Sequence, residues 1–140
     1  MLVAESVQHL QLVRSVLEHI EQTYRPHTGL AIFHDLPDLL GCDKPPRIGG
    51  YVPDVYAVDA PQTITVIGEA KTAADLGTEH TKRQLTTFLC HLSQQPNGIL
   101  VLSVPWHAAA AARNLLARIR EEFAVTAGMI VLDGVEESRC

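Results

Sequence analysis

The sequence predicts an α/β fold in which a mixed central sheet is flanked by helices. Three observations predict it. Stretches with apolar residues at three- and four-residue steps read as helices, each with one buried stripe. Shorter stretches rich in β-branched residues, bounded by Gly, Pro and Asn, read as strands. The order in which they fall, α-β-β-β-α-β-α-β, puts a hairpin ahead of helix-linked strands, which implies antiparallel and parallel pairing in one sheet.

Residues 5 to 24 form the first predicted helix, with Val7, Leu10, Val13, Leu17, Ile20 and Tyr24 as its stripe and Pro26 as its stop. Leu30 to His34 is a short strand after Gly29. Residues 35 to 50 are a long loop containing Pro37, Gly41, Pro45, Pro46, Gly49 and Gly50. Val52 to Asp59 and Thr63 to Lys71 read as a hairpin turned by Asp59-Ala60-Pro61-Gln62. Thr78 to Gln95 is a helix buried through Leu85, Phe88, Leu89 and Leu92, and Pro96-Asn97-Gly98 ends it. Ile99 to Val104 is an apolar strand. His107 to Phe123 is an alanine-rich helix facing the core through Leu115, Leu116 and Ile119, and Val125 to Leu132 is a last strand. Trp106, after Pro105, is expected to pack against the body of the protein.

At 140 residues, 46% hydrophobic and 19% charged, the chain has the size and composition of one globular domain spanning 1–140. The net charge of -5 argues against a surface built mainly to grip phosphates. Three cysteines without a CxxC suit a reducing compartment, with Cys90 as a small core residue. Seven histidines without HxxxH or HExxH spacing give no zinc signature. Glu5 and Gln8 interrupt the N-terminal stretch, so it does not read as a signal peptide, and no apolar run has membrane-spanning length. A soluble, cytoplasmic protein is expected.

The chemistry concentrates in the hairpin. Asp54 lies early in its first strand, and Glu69 and Lys71 end the second. Strand side chains alternate, so Glu69 and Lys71 share a face while Ala70 points away. Two carboxylates brought side by side repel by ~4 kcal/mol at an effective dielectric of 20. A divalent cation removes that penalty, and a few hard oxygen ligands suit Mg²⁺ or Mn²⁺. The Ala70 carbonyl offers a further oxygen. Such a cation acidifies water, and Lys71 is placed to orient that water or to stabilise charge developing on a phosphate. Taken singly, Asp54 also reads as a plain strand start after a turn, and Glu69–Lys71 as a solvated ion pair worth little. Gly68-Glu69-Ala70 ends an apolar run, where solvated charges are less expected, and this favours a site.

Pro53-Asp54, followed after fifteen positions by Glu69-Ala70-Lys71, resembles the signature of the PD-(D/E)xK nuclease superfamily, which includes Holliday-junction resolvases and many restriction enzymes. A second Pro-Asp pair, Pro37-Asp38, has no strand pattern after it and reads as a turn. The resemblance covers roughly residues 5 to 104. It implies a restriction endonuclease-like αβββαβ core, here followed by a C-terminal helix and strand. It also implies a Mg²⁺- or Mn²⁺-dependent endonuclease acting on nucleic acid, with DNA expected. Asp54 and Glu69, with the Ala70 carbonyl, would hold the metal, and Lys71 would serve water and transition state.

Many members add a glutamate from the first helix. The matching candidates are Glu21, which borders the apolar stripe and is favoured, and Glu18. Some add a glutamine on the following helix, which Gln84 matches. The tyrosine that follows it four residues later in those members is Phe88 here. Lys82, Arg83 and His80 on that helix, and Lys44 and Arg47 in the loop, are candidate contacts to the substrate backbone, although isolated surface charges read equally well as solvated. No appended recognition domain is visible, so either a homodimer or a targeting partner is implied. The alternative is a nuclease fold that has lost cleavage and serves nucleic-acid or protein binding. A small-molecule enzyme lacks support, since no glycine-rich phosphate loop follows any strand.

Overall fold

The computed structural model describes residues 2–26, 29–36 and 43–134, with side chains from residue 7 onward. His27, the Pro37-Asp38 pair, Gly41, Cys42 and the 136–140 tail lie outside the described residues. The elements are α1 (Leu2–Tyr24), β1 (Ala31–His34), β2 (Val55–Val58), β3 (Thr65–Ala70), α2 (Ala73–Leu76), α3 (Glu79–Ser93), β4 (Gly98–Ser103), a 3-10 turn (Trp106–Ala108), α4 (Ala109–Phe123) and β5 (Gly128–Leu132). The five strands lie in the order β1-β2-β3-β4-β5. β1, β2 and β3 pair antiparallel, and β3, β4 and β5 pair parallel, so the sheet is mixed. Among the described residues, no helix is long and apolar enough to cross a membrane.

Alternation along β3 feeds two cores. Val66 and Ala70 join the α1 side with Val13, Val16, Leu17 and Ile20, whereas Ile67 joins the α3 and α4 side with Leu85, Phe88, Leu89, Leu92, Leu115, Leu116 and Ile119. All six residues of β3 are buried, as a central strand covered on both faces requires.

Two details set the position of everything near the end of β3. The first is the β2–β3 turn. The Asp59 carboxylate accepts from the Thr63 N–H at 2.7 Å, from the Thr63 hydroxyl, and from the Ile64 N–H at 3.1 Å. These bonds, the Thr63 hydroxyl first, hold its carboxyl below the usual range. A turn tied this way fixes the register, with Val55 opposite Gly68 and Tyr56 opposite Ile67. Carried one residue further, that register sets Asp54 opposite Glu69.

The second is Gly68. A Cβ at this position would stand 2.1 Å from Val16 Cγ1 and 3.2 Å from Val55 Cβ. The missing side chain lets α1 lie directly on the sheet. Seven residues before Val16, about 10 Å along the helix axis, α1 carries His9.

The sequence pattern differs from the structure at several points. Val7, placed in the α1 stripe, is 49% exposed. Trp106, expected to pack, is exposed. Cys90 is half-buried and is not a full core residue. The short helix α2 is an addition. Its start is a capping box, in which the Thr72 N–H donates to Asp75 Oδ2 at 3.0 Å and the Asp75 N–H donates to Thr72 Oγ1 at 3.3 Å.

Gly68→Ala is expected to destabilise the protein by about 1–3 kcal/mol through overpacking. Adding Val16→Ala is expected to recover part of that loss, because the two sites share one volume. Urea denaturation of both variants measures the effect, and simple additivity would contradict the packing argument.

Candidate active site

At the end of β3 each carboxylate is held by a main-chain N–H through one oxygen and meets a basic side chain through the other. Asp54 Oδ2 accepts from the Ala70 N–H at 2.9 Å, and Asp54 Oδ1 lies 3.5 Å from His9 Nε2. Glu69 Oε1 accepts from the Asp54 N–H at 3.0 Å, and Glu69 Oε2 lies 3.4 Å from Lys71 Nζ. Lys71 Nζ also donates to Gln84 Oε1 at 2.6 Å, a short charge-assisted bond that fixes the ammonium from α3. The Lys71 N–H donates to the Ser103 carbonyl at 3.0 Å, which ties the residue to the end of β4.

The ladder accounts for the proline ahead of Asp54. Thr65 and Lys71 direct their N–H groups toward the β4 side, to Asn97 and Ser103. Alternation therefore turns the N–H and carbonyl of Ala70 toward β2. The register, extended, sets Ala70 opposite Pro53, which has no N–H to give. Asp54 takes up the Ala70 N–H, and the Ala70 carbonyl receives no bond from Pro53.

Electrostatics separate the two acids. Burial first, and then the nearby Asp54 carboxylate, push the Glu69 carboxyl up to about 8 against the opposing charge of Lys71. The hydrogen bond to Asp54 raises the His9 imidazole above its ordinary range, against partial desolvation. Glu69 is only 3% exposed, whereas the side chain of Asp54 is 22% exposed, so solvent reaches the pair through Asp54.

Two clefts meet at His9. One, of about 260 Å³, is lined by His9, Leu10, Val13, Asp35, Leu36, Val52, Pro53 and Asp54. The other, of about 770 Å³, is bounded by α1 residues Gln8, His9 and Leu10, by Thr72 to Asp75, and by Pro105 and His107.

Asp54, Glu69, the Ala70 main chain, Lys71 and Gln84 therefore come together as the sequence suggested. Other candidates do not. Glu21 and Glu18 are exposed and lie in separate depressions, Glu21 with Arg25, Gly29, Leu30 and Ile32, and Glu18 with Ser15, His19 and Asp133. Glu21 lies twelve residues beyond His9, about 18 Å along the helix, and neither glutamate lines a cleft at the carboxylates. Lys82 and Arg83 line a different cleft with Gly49 and Tyr51, and Lys82 pairs with Glu122 at 3.2 Å. Successive helix residues turn by about 100°, so neither faces the same way as Gln84. His80 is exposed, with its ring edge against Tyr51 at 5.7 Å. Arg47 donates to the Gly50 carbonyl at 3.1 Å, and Lys44 is exposed and lines neither cleft at the carboxylates.

His9 is the residue that the sequence reading missed. A signal was present, because His9 falls four residues before Val13 on the buried face of α1, a polar side chain at an apolar position. Among the described residues, no three His, Cys, Asp or Glu side chains form a ready-made metal cage. The donor chemistry nevertheless fits a hard divalent ion. One oxygen of each carboxylate, Asp54 Oδ1 and Glu69 Oε2, carries no main-chain bond among the described residues, and a cation binding through few protein oxygens retains its waters.

No family model, no curated protein and no solved structure matches the chain.

The raised Glu69 group has a measurable consequence. The folded state holds this proton more tightly than the unfolded chain, whose reference value is 4.5. Its contribution is complete below that value and is lost as pH rises toward about 8, with a slope of at most about 1.4 kcal/mol per pH unit. In chelator, wild type is expected to lose more stability between pH 5 and pH 8 than Glu69→Gln does. Denaturation at both pH values checks this, and equal losses would contradict the burial argument.

Proposed function

We propose that this protein is a divalent-metal-dependent nuclease of the PD-(D/E)xK type, hydrolysing phosphodiester bonds in nucleic acid, with DNA as the expected substrate. The observation that carries the reading is the convergence of Asp54, Glu69 and Lys71 at the end of β3, with Gln84 holding the ammonium. The order α1-β1-β2-β3-α3-β4, with α2 as a short insertion and α4 and β5 as additions, supports the restriction endonuclease-like core.

Asp54 Oδ1 and Glu69 Oε2 would hold Mg²⁺ or Mn²⁺, with the Ala70 carbonyl as a further oxygen. When bound, the cation supplies Lewis acidity toward water and toward a phosphoryl oxygen. The protein supplies the rest. Main-chain N–H groups orient each carboxylate, so neither has to reorganise to present its outer oxygen. Lys71, fixed between Glu69 and Gln84, places a positive charge where negative charge develops on the phosphate. His9 stands over Asp54 at the junction of the two clefts and orients that carboxylate or joins the ligand set from α1. The net charge of -5 supports modest binding on its own, and therefore a dimer or a targeting partner.

A second reading is a nuclease fold kept for binding. It is favoured by the way His9 and Lys71 already close on the carboxylates.

Incubation of plasmid and single-stranded DNA with Mn²⁺ or Mg²⁺ separates the two readings. Wild type is expected to cleave, and Lys71→Ala to lose about 100-fold or more in rate. Equal background in both would establish the binding module. In the same assay His9→Ala is expected to lose about 10- to 100-fold, while Glu21→Ala retains wild-type activity. The opposite ranking would return the α1 contribution to Glu21.

A further inference from the structure

Trp106 is the chain's one tryptophan, and it is 65% exposed. Tryptophan has one of the largest apolar surfaces of any side chain and is mostly buried in folded proteins. The backbone around it is well fixed. Val104 is buried, and its N–H donates to the Leu132 carbonyl at 2.9 Å. Pro105 sets φ at -61. Ala108 and Ala109 are buried, and the Ala108 N–H donates to the Pro105 carbonyl at 2.9 Å. His107 braces the indole edge-on, with ring centroids 5.8 Å apart and planes at 85°. An anchored turn thus holds a large flat side chain out in water.

Its surroundings suggest what covers it. Pro105 and His107, its two neighbours, line the larger cleft, and His9 on the facing wall touches Asp54. β3 and β4 run parallel, with Ala70 beside Ser103, so the chain leaves both strands at the same end of the sheet. Trp106 is three residues past Ser103, no more than about 11 Å of extended chain. The cleft therefore runs between His9, which pairs with Asp54, and the turn residues Pro105 and His107 that flank the indole.

We propose that Trp106 is a stacking platform for a nucleobase of single-stranded nucleic acid whose backbone runs along this cleft. The inference rests on the nuclease reading for its substrate class and narrows that class. An indole stacks on the face of any base, and only an unpaired base offers its face. An acidic protein gains little from general attraction to phosphate, so stacking carries a larger share of affinity. Single strands, frayed ends and flaps are the substrates that meet this requirement.

The tryptophan emission of the wild-type protein comes from one indole, which makes the contact directly observable. Oligothymidylate is titrated into the full chain in chelator at low salt. Saturable quenching is expected, with a blunt duplex of equal length binding at least about tenfold more weakly. By anisotropy of a labelled oligothymidylate, Trp106→Ala is expected to bind about tenfold or more weakly, and Trp106→Phe to keep most of the affinity. Unchanged thermal melting of Trp106→Ala, followed by circular dichroism, shows that the loss is local. Absence of quenching, undiminished binding by Trp106→Ala, or equal quenching by duplex overturns the proposal. The readout requires neither metal nor cleavage. Quenching without cleavage leaves the platform standing and removes the nuclease reading, and cleavage without quenching does the reverse.

Discussion

A carboxyl group buried beside a second carboxylate is unfavourable as an anion unless positive charge shares the space. Glu69 is such a group, and the end of β3 is arranged around it. It resolves the conflict by keeping its proton toward about pH 8, by drawing Lys71 to 3.4 Å, or by sharing a divalent ion with Asp54. The first two describe the protein by itself. The third, under the proposed metal site, would convert the same tension into affinity for metal, because a cation would displace the proton and gain the charge of two acids.

Features elsewhere in the chain become intelligible through that constraint. The Asp59 turn fixes the register that sets Asp54 against Glu69. Gly68 allows α1 to approach the sheet, which brings His9 over Asp54. The Thr72–Asp75 capping box turns the chain just after Lys71, and Gln84 on α3 holds the ammonium in place. Pro53 withholds the N–H that a ladder partner of Ala70 would supply, so Asp54 and the Ala70 main chain meet at the site. Each element is an ordinary turn, cap or packing contact. Their effect is joint, since a slip in any one of them moves an oxygen of the cluster.

The sequence disclosed the parts of this arrangement that depend on short-range periodicity. Alternation placed Glu69 and Lys71 on one face, the hairpin brought Asp54 back beside them, and helical spacing identified the buried stripe of α3. It did not disclose where along α1 the site lies. Periodicity tells which helix residues share a face, but the sliding position of a helix on a sheet is set by tertiary contacts, here Val16 against Gly68. That is why the sequence points to Glu21 and Glu18 and passes over His9. Lys82 and Arg83 share a helix with Gln84, whereas their angular positions on it send them to another cleft. Trp106, after Pro105 at a strand end, reads as a packing residue, whereas the anchored turn that holds it outward depends on the buried alanines after it and on the bond from Val104 to Leu132.

A metal site at the end of β3 requires two carboxylate oxygens to share one cation. A crystal structure of the chain grown with Mn²⁺, with anomalous data collected, tests that directly. The account predicts an anomalous peak within about 2.2 Å of one oxygen each of Asp54 and Glu69, with His9 or Lys71 displaced from its present contact. A map without such a peak, in which both carboxylates remain closed on His9 and Lys71 at saturating Mn²⁺, would contradict it.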